Sequence, residues 1–115
     1  MKRPAFGLDI DTVDTGGRLA VSVTTAGEVD VTNAADFAQS LDDIAGPRPL
    51  ILDLSSLRYL DSAGFAVVLR LVERQAVLIV LASQSLIHKA ATLIGLTCYE
   101  TVDSAIDEWN ASLHR

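Results

Sequence analysis

Two periodicities meet inside residues 50–72, LILDLSSLRYLDSAGFAVVLRLV, and together they leave few folds open. Leu50-Ile51-Leu52-Asp53-Leu54 is an apolar run with one carboxylate, short enough to be a buried strand. Ser55-Ser56 is expected to break that strand ahead of a second apolar cluster at Leu57, Tyr59 and Leu60. A helix must begin soon after, because Asp61-Ser62 supplies cap chemistry and Phe65, Val68, Leu69 and Val72 recur at the spacing of one helical face. Ser62 therefore falls at a strand-loop-helix junction. The first N–H groups of a helix lack helical partners and its dipole is positive there, so a serine oxygen at this point can cap the helix, bind an anion or carry a phosphate.

The rest of the chain supplies partners for this strand and helix. Phe6, Leu8, Ile10 and Val13 alternate with small or polar residues as in a half-buried strand, and Thr15-Gly16-Gly17 reads as a turn. A second strand over residues 19–25 would complete a hairpin at the sheet edge, with Ala26-Gly27-Glu28 releasing the chain toward a first helix. Thr32 or Asn33 can cap that helix, whose stripe is Ala34, Phe37, Ala38, Leu41 and Ile44, and Gly46-Pro47 and Pro49 stop it. Residues 76–82 are a further apolar strand, covered by helices or central in the sheet. A third helix is expected over residues 85–94, with Leu86, Ala90, Leu93 and Ile94 as its stripe and Gly95 at its end. An extended piece near residues 97–101 then leads to a last helix capped by Asp103, with Val102, Ile106, Trp109 and Leu113 at helical spacing. This order predicts an α/β sandwich: a mixed sheet of four or five strands with about four helices packed on it.

At 115 residues the chain is expected to be a single domain, 1–115, long enough to bury one core without staples. Its longest apolar run falls far short of a membrane span, and Met1-Lys2-Arg3 is not followed by a signal-peptide stretch, so a cytoplasmic location is expected. A net charge of −6 with nine scattered Lys and Arg argues against direct nucleic-acid binding and suits solubility or a basic protein partner. The single cysteine, Cys98, forms no internal disulfide and reads as a small buried apolar side chain, an intermolecular redox link being the alternative.

Enzyme chemistry finds little support. Ser62 could serve as a nucleophile, but the only histidines are His88, inside the third helix, and His114, near the terminus, both read as solvent-facing. There is no Gly-x-Ser-x-Gly elbow, no phosphate-binding Gly-x-x-x-x-Gly-Lys-Ser/Thr loop and no metal-ligand spacing. No cofactor and no metal are expected, and any kinase acting on Ser62 must come from outside.

The order of residues carries a resemblance. LDLSSLRYLDSAGFAVVLRL is similar to the signature of the STAS domain in bacterial anti-sigma factor antagonists: a strand, a loop, Asp-Ser-(Ser or Ala)-Gly, then an apolar helix. Gly27-Glu28-Val29-Asp30 followed by Asn33-Ala34-Ala35-Asp36-Phe37 resembles the family's Gly-Glu-Leu-Asp segment, and Ile94-Gly95-Leu96 its Gly-Leu after the third helix. One departure is that the stretch from Ser62 to Ala76 is about a helical turn shorter than usual, with Arg74-Gln75 in place of Gly-Gly. The resemblance implies an antagonist whose unphosphorylated form binds an anti-sigma factor and frees a sigma factor. Ser62 would be phosphorylated by that anti-sigma factor, an ATP-dependent serine kinase, and reset by a serine phosphatase. It implies partner contacts at Asp30, Asp61, Ala63, Gly64 and Phe65, with Ser62 as the one hydroxyl of the Asp-Ser-Ala-Gly motif. Asp61 is expected to fix the loop, and Gly64 either to admit a partner's backbone or simply to pack. The alternative function is a STAS subunit that is never phosphorylated, working in a lipid-transport or scaffold complex.

Overall fold

The computed structural model describes residues 4–15 and 17–113. Its elements run β1 (Phe6–Asp14), β2 (Leu19–Val29), α1 (Ala34–Ala45), β3 (Leu50–Leu60), α2 (Ser62–Arg74), β4 (Val77–Val80), α3 (Leu86–Leu93), β5 (Cys98–Tyr99) and α4 (Val102–Leu113). The five strands form one mixed sheet in the order β1-β2-β3-β4-β5. The β1–β2 pair is an antiparallel hairpin at one edge, and every later pair is parallel. Thr15 fixes the hairpin turn by donating through its N–H and its hydroxyl to the Arg18 carbonyl, each at 2.8 Å; Gly16 lies outside the described residues.

Both faces of the sheet are used. The larger core joins Val21, Val23, Leu50, Leu52, Leu54 and Ile79 to Phe37 and Leu41 of α1, Val67, Val68 and Leu71 of α2 and Ala91 of α3. On the opposite face Ile51 and Val80 pack against Ala105 and Trp109 of α4. This two-sided burial explains why residues 50–52 read as an unbroken apolar run. Each buried Leu, Ile or Val contributes about 1.5–3 kcal/mol.

Ser55-Ser56 does not break β3. Register shifts on either side of Ala26–Gly27 leave β3 with an extra residue twice, between Asp53 and Ser56 and again between Leu57 and Tyr59. Each bulge reverses which face the following residue meets. Hence Leu50, Leu52 and Leu54 follow a period of two, whereas Leu57 and Leu60 come at intervals of three, and all five reach the same core. Strand β2 likewise continues through Ala26-Gly27-Glu28 rather than releasing the chain, because these residues keep pairing with β3. Gly27 takes φ 95°, and a Cβ there would lie 2.3 Å from the Ala5 carbonyl oxygen, so only glycine fits.

Two helices present a different face from the expected one. In α2 the buried residues are Gly64, Val67, Val68 and Leu71, with Phe65 and Leu69 half-buried and Val72 exposed. In α3 Ala91 is buried and Ile87 packs beside it, while Leu86, Leu93 and Ile94 face outward. His88 is half-buried rather than solvent-facing, and His114 lies outside the described residues. Helix α4 is capped by Thr101, not Asp103: Thr101 Oγ1 accepts from the Ser104 N–H at 3.0 Å and Ser104 Oγ accepts from the Thr101 N–H at 3.1 Å. Its stripe holds at Val102, Ile106 and Trp109, and the Leu113 side chain lies outside the described residues. The shortened end of α2 closes without glycine, since Gln75 adopts extended backbone with its N–H on the Leu71 carbonyl and Arg74 pairs with Asp42 of α1.

Candidate functional site at the start of helix α2

A single residue, Asp61, separates β3 from α2. Its extended backbone makes it the N-cap, and its Oδ1 accepts from the Gly64 N–H at 3.0 Å. Its other oxygen, Oδ2, accepts from the Val31 N–H at 3.0 Å, in the turn between β2 and α1. The Asp61 N–H in turn donates to the Val29 carbonyl at 3.2 Å. One residue thus caps a helix and ties two neighbouring loops together.

With Asp61 as the cap, Ser62 becomes the first residue of the helix. Its side chain is exposed, and its hydroxyl has no hydrogen-bond partner among the described residues. The choice left open by the sequence between Asp61 and Ser62 as the capping group is resolved in favour of Asp61. Ser62 Oγ is left facing solvent at the positive end of a thirteen-residue helix.

The neighbouring turn is held by its own side chains. Asp30 Oδ1 accepts from the Thr32 N–H at 2.8 Å and from the Thr32 hydroxyl. The Asp30 N–H donates to Asn33 Oδ1 at 2.9 Å, and Asn33 Nδ2 reaches back to the carbonyls of Glu28 and Pro4. Asn33 therefore stands at the N-cap of α1 without capping it by side chain; it fastens the turn instead. The turn brings Asp30 to the Ser62 end of the sheet and presents Val31, 75% exposed.

The remaining motif residues divide by depth. Ala63 and Phe65 are half-buried against the core, and Gly64 is buried, where a Cβ would sit 2.3 Å from Leu60 Cδ1 and 3.1 Å from Val29 Cγ1. Gly64 lets α2 lie close on β2 and β3. Phe65 shares a groove with Ser62, Ala66 and Leu69 of α2 and Ala90 and Ile94 of α3. Val31 and the outward residues of α3 were not singled out from sequence as site residues; their signal was apolar character without a buried neighbour, visible once the fold is known.

No cluster of three or more metal-ligating side chains occurs among the described residues. Cys98 is half-buried in β5, and burial raises its thiol pKa, which keeps it protonated and poorly nucleophilic at neutral pH. No described helix is long and apolar enough to cross a membrane.

A family model for the STAS domain matches residues 10–108. The chain belongs to the STAS domain family. Solved structures agree on the fold of this STAS domain. An anti-sigma factor antagonist from Mycobacterium paratuberculosis is 21% identical, with a TM-score of 0.77 over 90% of this chain and 93% of that one. The anti-sigma factor antagonist SpoIIAA in its unphosphorylated form is 18% identical, with a TM-score of 0.61 over 91% of this chain and 97% of that one. An uncharacterised Shewanella loihica protein with a SpoIIAA-like fold is 16% identical, with a TM-score of 0.58 over 93% and 97%. No curated protein matches the chain.

Proposed function

We propose that this STAS domain is an anti-sigma factor antagonist switched by phosphorylation of Ser62. The observation that carries the reading is the exposed Ser62 hydroxyl, left without a partner because Asp61 performs the capping. Likeness in fold to two anti-sigma factor antagonists supports the same role. In this reading the unphosphorylated protein holds an anti-sigma factor and so frees a sigma factor. The anti-sigma factor transfers phosphate from ATP to Ser62, a serine phosphatase removes it, and the chain itself performs no catalytic step. A net charge of −6 does not favour a nucleic-acid partner, and in this reading the partners meet in the cytoplasm.

The physics of the site fits a switch that acts on the interface rather than on the fold. A phosphate adds about −1.5 to −2 charges, which the N-terminus of α2 tolerates. A partner surface fitted to a neutral hydroxyl would instead meet a hydrated dianion beside Asp61, with Asp30 on the adjoining turn. Losing about 3 kcal/mol there weakens binding on the order of 100-fold. Asp30, Asp61 and Phe65 would supply side chains to the interface, with Ala63 and Gly64 setting its backbone.

Affinity capture from the native host with wild-type and Ser62→Asp baits tests the reading. Wild type should retain an ATPase-type anti-sigma factor that the Asp form loses. Identical proteins on both baits would overturn the switch, and transport-complex subunits among them would point to a fixed subunit.

A further inference from the structure

Strand β1 ends the sheet, and among the described residues no strand pairs with its outer side. The phase of its hydrogen bonds is set at both ends. The Glu28 N–H donates to the Ala5 carbonyl at 2.9 Å, and the Thr15 N–H to the Arg18 carbonyl at 2.8 Å. With Phe6 opposite Gly27 and Asp14 opposite Leu19, the odd-numbered residues of β1 therefore bond to β2. Phe6, Leu8, Ile10, Thr12 and Asp14 turn their N–H and C=O groups outward. Asp11 Oδ1 accepts from the Thr12 N–H at 3.1 Å, so the continuous open stretch is residues 6–10. Such a row is a template for one more strand.

The side chains along this edge alternate in chemistry as well as in direction. Phe6 and Leu8 pack half-buried against the larger core, and Ile10 on the same face is 53% exposed. Asp9 and Asp11 are exposed on the other face, beside the uncharged Thr24 and Ser22 of β2. The surrounding charges do not cancel these acids. Glu28 is paired with Arg58 at 3.9 Å, and α1 adds the exposed Asp36 and Asp43. Arg18 stands in the hairpin turn beyond Asp14, while Arg48 follows α1 and Arg70, Arg74 and Lys89 belong to α2 and α3. Lys2 and Arg3 precede β1 and lie outside the described residues.

A second copy of β1 is a poor occupant. Antiparallel self-pairing centred on Ile10 sets Asp9 opposite Asp11, centred on Asp9 sets it opposite itself, and centred on Leu8 leaves the two Asp9 on a diagonal. We propose that the β1 edge takes an extended segment of a partner protein in which Lys or Arg alternates with apolar residues. Its backbone pairs with Phe6, Leu8 and Ile10, its apolar side chains cover Ile10, and its cations meet Asp9 and Asp11 on the opposite face. The site lies two strands from β3, which leads into Ser62, and does not depend on the phosphorylation reading.

The test titrates the full chain with an acetylated, amidated hexapeptide of alternating valine and lysine, followed by amide NMR. Controls are the valine–glutamate counterpart and a lysine peptide N-methylated on the amides of one edge. The valine–lysine peptide should shift the amides of Phe6, Leu8 and Ile10 most, and both controls should bind at least about fivefold more weakly. The double variant Asp9→Asn with Asp11→Asn, checked by thermal melting to be folded, should also lose about fivefold. Absence of binding, equal binding by either control or by the double variant, or shifts centred on the carboxylates of α4 overturns the proposal. Concentration-dependent broadening of the same three amides without peptide would make a second copy the occupant and overturn it as well.

Discussion

The carboxylate of Asp61 accepts from Gly64 in its own helix and from Val31 across the neighbouring turn. Asp61→Ala removes both bonds and should lower stability by about 2 kcal/mol, one part from the lost cap and one from the charge-assisted loop contact. Asp61→Asn keeps one acceptor oxygen and should lose about half as much. Ser62→Ala should change stability by less than about 0.5 kcal/mol, since its hydroxyl has no partner to lose. Urea denaturation of the three variants checks this, and a Ser62→Ala loss equal to that of Asp61→Ala would make Ser62 a structural residue. The sequence put two good caps side by side at 61 and 62, and propensity alone does not rank Asp against Ser. The ranking comes from Val31, which offers its N–H to the second carboxylate oxygen.

At the scale of elements, α3 shows most plainly how periodicity can be right and its phase wrong. The stripe of Leu86, Ala90, Leu93 and Ile94 has helical spacing, but the helix turns Ile87 and Ala91 to the core instead. Small Ala91 lets an eight-residue helix sit close over the sheet edge, where the bulkier leucines would hold it off. Ala91→Asp should therefore cost more than about 3 kcal/mol by burying an unpaired charge, while Leu93→Asp should stay within about 0.5 kcal/mol. Thermal unfolding followed by circular dichroism distinguishes them, and equal losses would return the leucines to the core. Helix α2 shifts by one residue for a related reason: Gly64 permits close approach to Leu60 and Val29, so the 64/67/68/71 face turns inward and leaves Phe65 beside the groove.

Across the whole molecule, stability is concentrated where the sheet is covered twice. Strand β3 lies between β2 and β4, with the α1–α3 layer on one face and α4 on the other. Its amides at 50–54 should exchange with solvent most slowly, approaching the global unfolding free energy, while the two-residue strand β5 and the thinly packed α3 should open first. Native-state hydrogen exchange measures this order. Protection in α3 equal to that of β3 would overturn this order.

Local periodicity and turn chemistry were enough to set the order of strands and helices, the edge hairpin, the apolar centre at residues 50–54 and the junction at Asp61-Ser62. The sequence also held the family signature around that junction. The continuity of β3 through Ser55-Ser56 was not local, since the bulges exist only in register with Ala26 and Gly27 of β2. Nor were the buried faces of α2 and α3, because a period fixes the angles between side chains but not their orientation toward a neighbour. The same limit hid the meeting of Asp61 with Val31, two residues 30 apart that only the folded sheet brings within hydrogen-bonding distance.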